Sequence, residues 1–403
     1  MQLHLLNFHR FLANFAESLV SVFIPLIIYN KTQSIVLAVG YIVLMCFFRA
    51  LLTLCFKNLY LKKPEFMMLI RVLPFVAYNI CILFIEVNFW LFIVWIAFFY
   101  AFSISIKNCC HDSVLIYAMR ATRNRKDLAI NRTINYFSTI ISTMLGGIFI
   151  GLNMTVVILI SSALYTISVV PLYIFYLKRR RKTSLHKDYT TNAEITFNKH
   201  NVQVDRYKNL TKDIIIMNFV LTILYGATNY IMTLYNLSLF VSSSSFVIAG
   251  YISAIVNFAK IAATFMGLKL SQKYDGAHIA IFSCVILALT VPLFIFITQV
   301  WVACVFLSIY CFSSELLGYV NFLNLNNSKL IGKSSEANMY GRQMGAIVGQ
   351  VFTTLPVVIT GSFIGSFLCA STILLFGCFY WPIKDRKVKK QLVNYLHNNE
   401  IET

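Results

Sequence analysis

The stretch that decides the fold is KRRRKTSLHKDYTTNAEITFNKHNVQVDRYKNLTK, residues 178–212, the longest polar segment in a 403-residue chain that is 59% apolar and 12% charged. On either side of it lie long apolar runs separated by short polar breaks. About 20 apolar residues in helical form span a hydrocarbon core about 30 Å thick. Six such runs precede the segment, at roughly 8–29, 34–56, 66–85, 89–108, 133–151 and 154–177. Six follow it, at roughly 213–235, 246–267, 279–298, 300–324, 339–360 and 362–382. The runs are too long for barrel strands and lack period-two alternation, so the expected class is all-α integral membrane with twelve transmembrane helices. The chain then divides into a six-helix half over 1–177, a linker over 178–212, a second six-helix half over 213–382 and a basic tail over 383–403.

Composition excludes the other classes. An ordinary soluble domain is about 25% charged, and a globule this apolar could not clothe its surface in polar groups. The formal net charge of +19, from 34 basic and 15 acidic side chains, could point to nucleic acid. Here, however, the basic residues sit in breaks between apolar runs, so membrane lipid is the expected partner and nucleic acid is not. The breaks after even-numbered spans hold Lys57, Lys62 and Lys63; Lys107, Arg120, Arg123, Arg125, Lys126 and Arg132; Lys269 and Lys273; Lys329 and Lys333. Those after odd-numbered spans hold only Lys31. Basic loops stay in the cytoplasm, which places both termini there, in agreement with the linker and with Lys384, Arg386, Lys387, Lys389 and Lys390 in the tail. Arg10, Asn14 and Glu17 interrupt the first run and no small-residue cleavage site follows, so that run reads as a retained span rather than a signal peptide. Most of the ten cysteines lie in apolar stretches, where a thiol behaves as a small hydrophobe. The expected location is a cell membrane, as a multi-pass monomer in a bacterial cytoplasmic membrane.

Ionisable side chains at membrane depth are costly, and each is a candidate site. Two acids lie mid-span, Glu17 and Glu315. Arg10, Asn14, Glu17 and Ser21 recur at steps of four, three and four, which puts them on one face of the first helix. Glu17 can serve as a proton-coupling acid or as a structural carboxylate paired with a basic neighbour, and the same two readings hold for Glu315. Asn218, Thr222, Tyr225, Asn229, Thr233 and Asn236 form an uncharged stripe on the seventh helix, able to bind substrate or to tie helices together. Lys260, aligned with Ser253, Asn257 and Thr264 on the eighth helix, is a candidate anion-binding or gating cation, or it snorkels to the interface. Arg49 and Arg71 read as anchors or inter-half pairs. Gly341, Gly345 and Gly349 make a small-residue ridge for close helix packing. Arg342 could reach Glu315 or Asp275. Cys109, Cys110 and His111 cannot converge on one metal ion, because consecutive helical residues diverge by about 100°. No metal or other cofactor is expected.

Two equal sets of six spans joined by a long cytoplasmic segment resemble the major facilitator superfamily of secondary transporters. The loop after the eighth span, Gly267-Leu-Lys-Leu-Ser-Gln-Lys-Tyr-Asp-Gly276, is similar to the family's Gly-x-x-x-Asp-Arg-x-Gly-Arg-Arg loop. Its counterpart after the second span, Leu59-Tyr-Leu-Lys-Lys-Pro-Glu65, lacks the Gly, Asp and Arg. The fifth span ends Met144-Leu-Gly-Gly-Ile-Phe-Ile-Gly151, similar to the Gly-rich fifth helix of the family's drug exporters without their Gly-Pro. The resemblance implies alternating access around a central site built from the first, fourth, seventh and tenth helices. Glu17 is then the first choice as coupling acid and Glu315 the second. Arg10, Asn14, Asn218, Tyr225, Asn229 and Lys260 would contact a small organic substrate, with efflux ahead of uptake.

Other machines fit less well. Gly332-Lys-Ser334 imitates the end of a phosphate loop, but the leading Gly would fall at 327, which is Asn, so ATP drive is not expected. No catalytic arrangement lies within a span, so the chain does not read as an enzyme. No filter-like loop or ring of charge suggests a channel. The alternative is a flippase or carrier for lipid or lipid-linked saccharide.

Overall fold

The computed structural model describes residues 2–56, 59–60, 63–111, 114, 125–185, 216, 219–227, 233–235, 237–239, 245–274, 276–297, 299–328 and 334–400. These residues are almost entirely helical. α1 (Gln2–Ser21), α2 (Ile24–Thr32), α3 (Ile35–Cys55), α4 (Pro64–Ile70), α5 (Val72–Leu83) and α6 (Phe89–Ile106) lead into a π-helical turn, Lys107–His111. The chain continues through α7 (Arg125–Leu185), α8 (Phe246–Lys273), α9 (Gly276–Leu293), α10 (Val300–Ser328), α11 (Ser334–Thr360) and α12 (Phe363–Glu400). Nine stretches among the described residues are long and apolar enough to cross a membrane, and the apolar helix His278–Leu293 is shorter.

Proline and asparagine explain where apolar runs break. Pro25 has no N–H to give the carbonyl of Ser21, and α1 ends at Ser21; Pro74 does the same to Ile70, where α4 ends. The first and third expected spans are thus each two rods joined by a kink. Within α7 the fifth and sixth expected spans meet at Asn153, whose extended backbone (φ −156°, ψ 96°) breaks the helix and whose Oδ1 accepts from the N–H of Val156 at 3.2 Å. Two helices run past their expected ends. α7 reaches Leu185, eight residues beyond Leu177, and α12 reaches Glu400 in what reads as a basic tail. Straight-chain Lys and Arg favour helix, which accounts for both. Much of the linker, 186–212, lies outside the described residues, as do Asn218, Asn229, Asn236 and Asp275 and the side chain of Arg342.

Besides a smaller cluster that takes in Tyr60, Met67, Cys110 and Tyr319, two cores follow the two parts of the chain. One runs from Ala13 to Tyr165, joined by Leu234, Leu237, Ala249, Ile347 and Val357; the other lies within Leu221 to Leu374. Large apolar side chains such as Trp90, Phe296 and Trp301 point outward, which suits a surface facing lipid rather than water.

The N-terminal part is stitched by polar contacts. Arg10 donates to Asn131, Asn14 to Asn135 and Ser18 to Thr139, each pair 121 residues apart, so α1 and the start of α7 lie parallel in constant register. On another face of α1, the His9 ring donates to the Ser168 carbonyl and Ser161 Oγ to the Ala16 carbonyl, both at 2.7 Å. Close packing joins the two parts. A Cβ on Gly147 would lie 2.6 Å from the carbonyl oxygen of Phe246, and one on Gly250 would lie 2.5 Å from that of Thr143, so α7 and α8 touch backbone to backbone. The expected small-residue ridge serves the same purpose within the C-terminal part: Gly345 and Gly349 press on Phe219 and Ile223 of the seventh run, where a Cβ would meet their carbonyl oxygens at 2.6 and 2.2 Å.

Candidate functional site

A cavity of about 190 Å³ opens between the two parts. Ser21, Val22, Pro25 and Leu26 line it at the first kink; Tyr41, Ile42 and Met45 come from α3 and Tyr100 from α6. The C-terminal part supplies Thr233 from the seventh run and Ala249, Ser253 and Asn257 from α8. Hydroxyls and one amide therefore sit among apolar side chains, the usual build of a small-molecule site. Ser21 is the last member of the polar stripe on α1, and Ser253 and Asn257 belong to the stripe on α8.

One helical turn from the cavity the lining becomes charged. Glu17, four residues before Ser21 and 5% exposed, accepts through Oε2 from Arg71 Nη2 at 2.7 Å and from Lys107 Nζ at 2.9 Å. Arg71 is fully engaged: its Nε donates to both the carbonyl and the Oγ of Ser103 at 3.0 Å, and its guanidinium lies 5.3 Å from the Tyr165 ring centre. Glu17, Arg71 and Lys107 come from the first, third and fourth spans, all in the N-terminal part.

The second acid is arranged differently. Glu315, 2% exposed on α10, accepts from Arg132 Nη1 at 2.5 Å and from the Tyr136 hydroxyl, with Thr264 Oγ1 of α8 at 3.4 Å. Arg132 Nη2 also donates to the Gly318 carbonyl at 3.2 Å. Arg132 and Tyr136 stand on α7 and Glu315 on α10, so this buried pair bridges the two parts of the chain. A second bridge joins other helices: Arg49 of α3 donates to Gln350 at 3.1 Å and to Gln343 at 2.7 Å, both on α11. Lys260 lies 5.8 Å from the ring centre of Tyr136. These contacts gather at the end of the bundle where α1, α7 and α11 begin, the end that also carries the Lys- and Arg-rich breaks.

The structure distributes the sequence-derived candidates unevenly. Glu17, Glu315 and Lys260 flank the cavity or the contacts beneath it. Arg10 and Asn14 are engaged with Asn131 and Asn135, and neither is among the cavity-lining residues. Tyr225 is also absent from the lining; it packs against Gly318, beside the Glu315 pair. Asn218 and Asn229 lie outside the described residues. The sequence reading missed Tyr41, Tyr100 and Met45 on the lining, and it missed Arg132 as the partner of Glu315. Arg132 reads as a loop charge ahead of a span starting at 133, yet it lies in register with Tyr136 and Thr139 one and two turns on, a helical signal that was there to be used.

Among solved structures, the E. coli fucose:proton symporter FucP aligns at TM-score 0.58 and 12% identity, covering 95% of this chain and 98% of that one. FucP in the outward conformation aligns at 0.59, also at 12% identity and with the same coverage. The proton:xylose symporter XylE bound to 6-bromo-6-deoxy-D-glucose aligns at 0.62 and 13% identity over 94% of both chains. At such identities the likeness is one of fold. No curated protein sequence matches significantly. The sequence itself supplies the family: the Major Facilitator Superfamily model matches residues 6–352, the stretch holding the cavity, both acids and the two polar bridges made by Arg132 and Arg49, and the chain belongs to that superfamily.

Proposed function

We propose that this chain is a proton-coupled secondary transporter that carries a small polar organic molecule through its central cavity by alternating access. In this reading twelve spans form two six-helix halves, the basic end of the bundle faces the cytoplasm with both termini, and the halves rock about the cavity of a single chain. The carrying observation is that Arg132 and Glu315 pair across the two parts, whereas Glu17, Arg71 and Lys107 pair within one. Opening the basic end separates Arg132 from Glu315 and leaves Glu17 with its partners. Separating a buried ion pair is strongly unfavourable, and a proton on Glu315 removes the charge that resists it. Proton binding and opening are thereby linked, because the proton favours one of the two states. Glu315 becomes the leading coupling acid, and Glu17 holds the first, third and fourth spans together.

The cavity volume favours a compact solute. At about 190 Å³ it is smaller than the roughly 300–1,000 Å³ of drug-sized pockets, which argues against a lipid or a large amphiphile. The solved neighbours are named as symporters, which supports proton-linked uptake over the efflux suggested by the fifth-span glycines. The test is reconstitution into liposomes loaded with a pH-sensitive dye. Solutes from a panel of sugars, polyols and organic acids should acidify the lumen when added outside, and Glu315→Gln should abolish acidification while keeping solute exchange. Proton-driven accumulation unchanged in Glu315→Gln refutes the coupling role, and movement of labelled lipid without any soluble cargo refutes the transporter reading.

A further inference from the structure

We infer that the cargo is an organic oxyanion, a carboxylate or a phosphate ester, held by Arg49 and Lys260. The inference rests on the transport reading for what the cavity does and adds the chemical class of its occupant.

It begins with a charge count. Glu17 and Glu315 pair with Arg71, Lys107 and Arg132, and Arg49 and Lys260 stand beneath the cavity as two further cations, so these seven residues hold five positive charges against two negative ones. Glu17 neutralises one of its two partners and Glu315 neutralises Arg132. Arg49 and Lys260 form no ion pair among the described residues. Arg49 is only 4% exposed; its Nη atoms meet neutral amide oxygens, and its Nε is buried without a hydrogen-bond partner. A guanidinium so placed bears its full desolvation cost against neutral dipoles, a condition proteins keep where a counter-charge arrives from outside.

Position strengthens the case. Arg49 lies four residues beyond Met45 and Lys260 three beyond Asn257, and both Met45 and Asn257 line the cavity, so each cation is one turn below the lining on the same helix face. The two occupy equivalent places. Ser34 caps α3 through its Oγ as Ser245 caps α8, with φ of −115° and −114°, and these serines are 211 residues apart. Arg49 and Lys260 are separated by the same 211 residues, as are Thr53 and Thr264. Each part thus contributes one cation from the same point of its second helix. Both are held by α7 or α11 of the opposite part, Lys260 over Tyr136 and Arg49 on Gln343 and Gln350. Separation at the basic end withdraws these neutral partners, and an anion in the cavity replaces them with a charge-assisted bond.

The test uses the purified full chain in nanodiscs at fixed ionic strength in chloride, with melting temperature as the readout. Gluconate and citrate supply carboxylates, glycerol phosphate and inorganic phosphate supply phosphates, and glucose is the neutral match for gluconate. At least one of the organic anions should raise the melting temperature where glucose does not, and carboxylate and phosphate arms tell the two sources apart. A response confined to inorganic phosphate overturns the organic cargo. Arg49→Gln and Lys260→Gln should each weaken the responding anion about 10- to 100-fold, with Arg49→Lys recovering part of the loss. Lys260 is only partly buried, so Lys260→Gln carries the test if Arg49→Gln does not fold. No anion response, a response that survives both variants, or an equal response to glucose overturns the inference. Binding is read without a gradient. Anion binding without proton-driven uptake therefore refutes the transport reading and sustains this one, whereas proton-driven glucose uptake without anion response does the reverse.

Discussion

Glu315→Gln isolates the inter-part ion pair. The carboxylate is 2% exposed and its partner Arg132 16%, measured on side chains, and they meet at 2.5 Å. Removing one partner of a buried pair costs about 3–5 kcal/mol. The amide oxygen of the variant still accepts one hydrogen bond from Arg132, which places the loss near the lower end, about 3 kcal/mol. Because Arg132 and Glu315 sit on opposite parts, that loss falls on the conformation closed at the basic end, and at about 1.4 kcal/mol per tenfold the equilibrium shifts by roughly 100-fold toward opening there. Hydrogen–deuterium exchange of peptides covering residues 129–139 and 310–319 should rise in the variant. An exchange pattern equal to wild type, or one reproduced by Glu17→Gln, refutes the reasoning.

Glu17→Gln leaves Arg71, 2% exposed, and Lys107 without their shared carboxylate; stability should fall by about 3–5 kcal/mol with little change in exchange at the basic end, and Arg71→Met should recover part of it, both read as melting temperature. Gly147→Ala pushes a Cβ to 2.6 Å from the Phe246 carbonyl, costing about 1–3 kcal/mol and slowing transport where α7 and α8 meet. Asn14→Leu removes one rung between α1 and α7 and should cost about 1 kcal/mol while leaving substrate affinity unchanged in a binding titration, since Asn14 is not among the cavity-lining residues.

Apolar run length made the helical membrane class legible, because the bilayer imposes a length that composition reveals directly. The Asn153 break was legible too, falling in the two-residue gap between the fifth and sixth runs. The kinks at Ser21 and Arg71 were not: a single polar residue inside an apolar run does not end it, and only Pro25 and Pro74 mark the breaks. The site was half legible. Glu17 and Glu315 stood out because acids are rare at that depth, but their partners did not, since Arg71, Lys107 and Arg132 lie near span ends, where basic residues usually serve as anchors. Stripes also misled in a particular way. Arg10 and Asn14 share a face with Ser21, yet only Ser21 lines the cavity, because α7 covers the earlier turns of α1. Periodicity reports which residues share a face and says nothing of what covers it.

The three rungs between α1 and α7 work as a rack with evenly spaced teeth. Both helices place their polar side chains four residues apart, so sliding one past the other by about 6 Å, four residues at 1.5 Å each, would bring Arg10 to Asn135 and Asn14 to Thr139. Two rungs would re-form there, whereas at half that distance none could. The seam therefore resists small shear and permits only whole-turn steps, so that thermal jostling in the bilayer leaves the first and fifth spans locked to one another as a single moving piece.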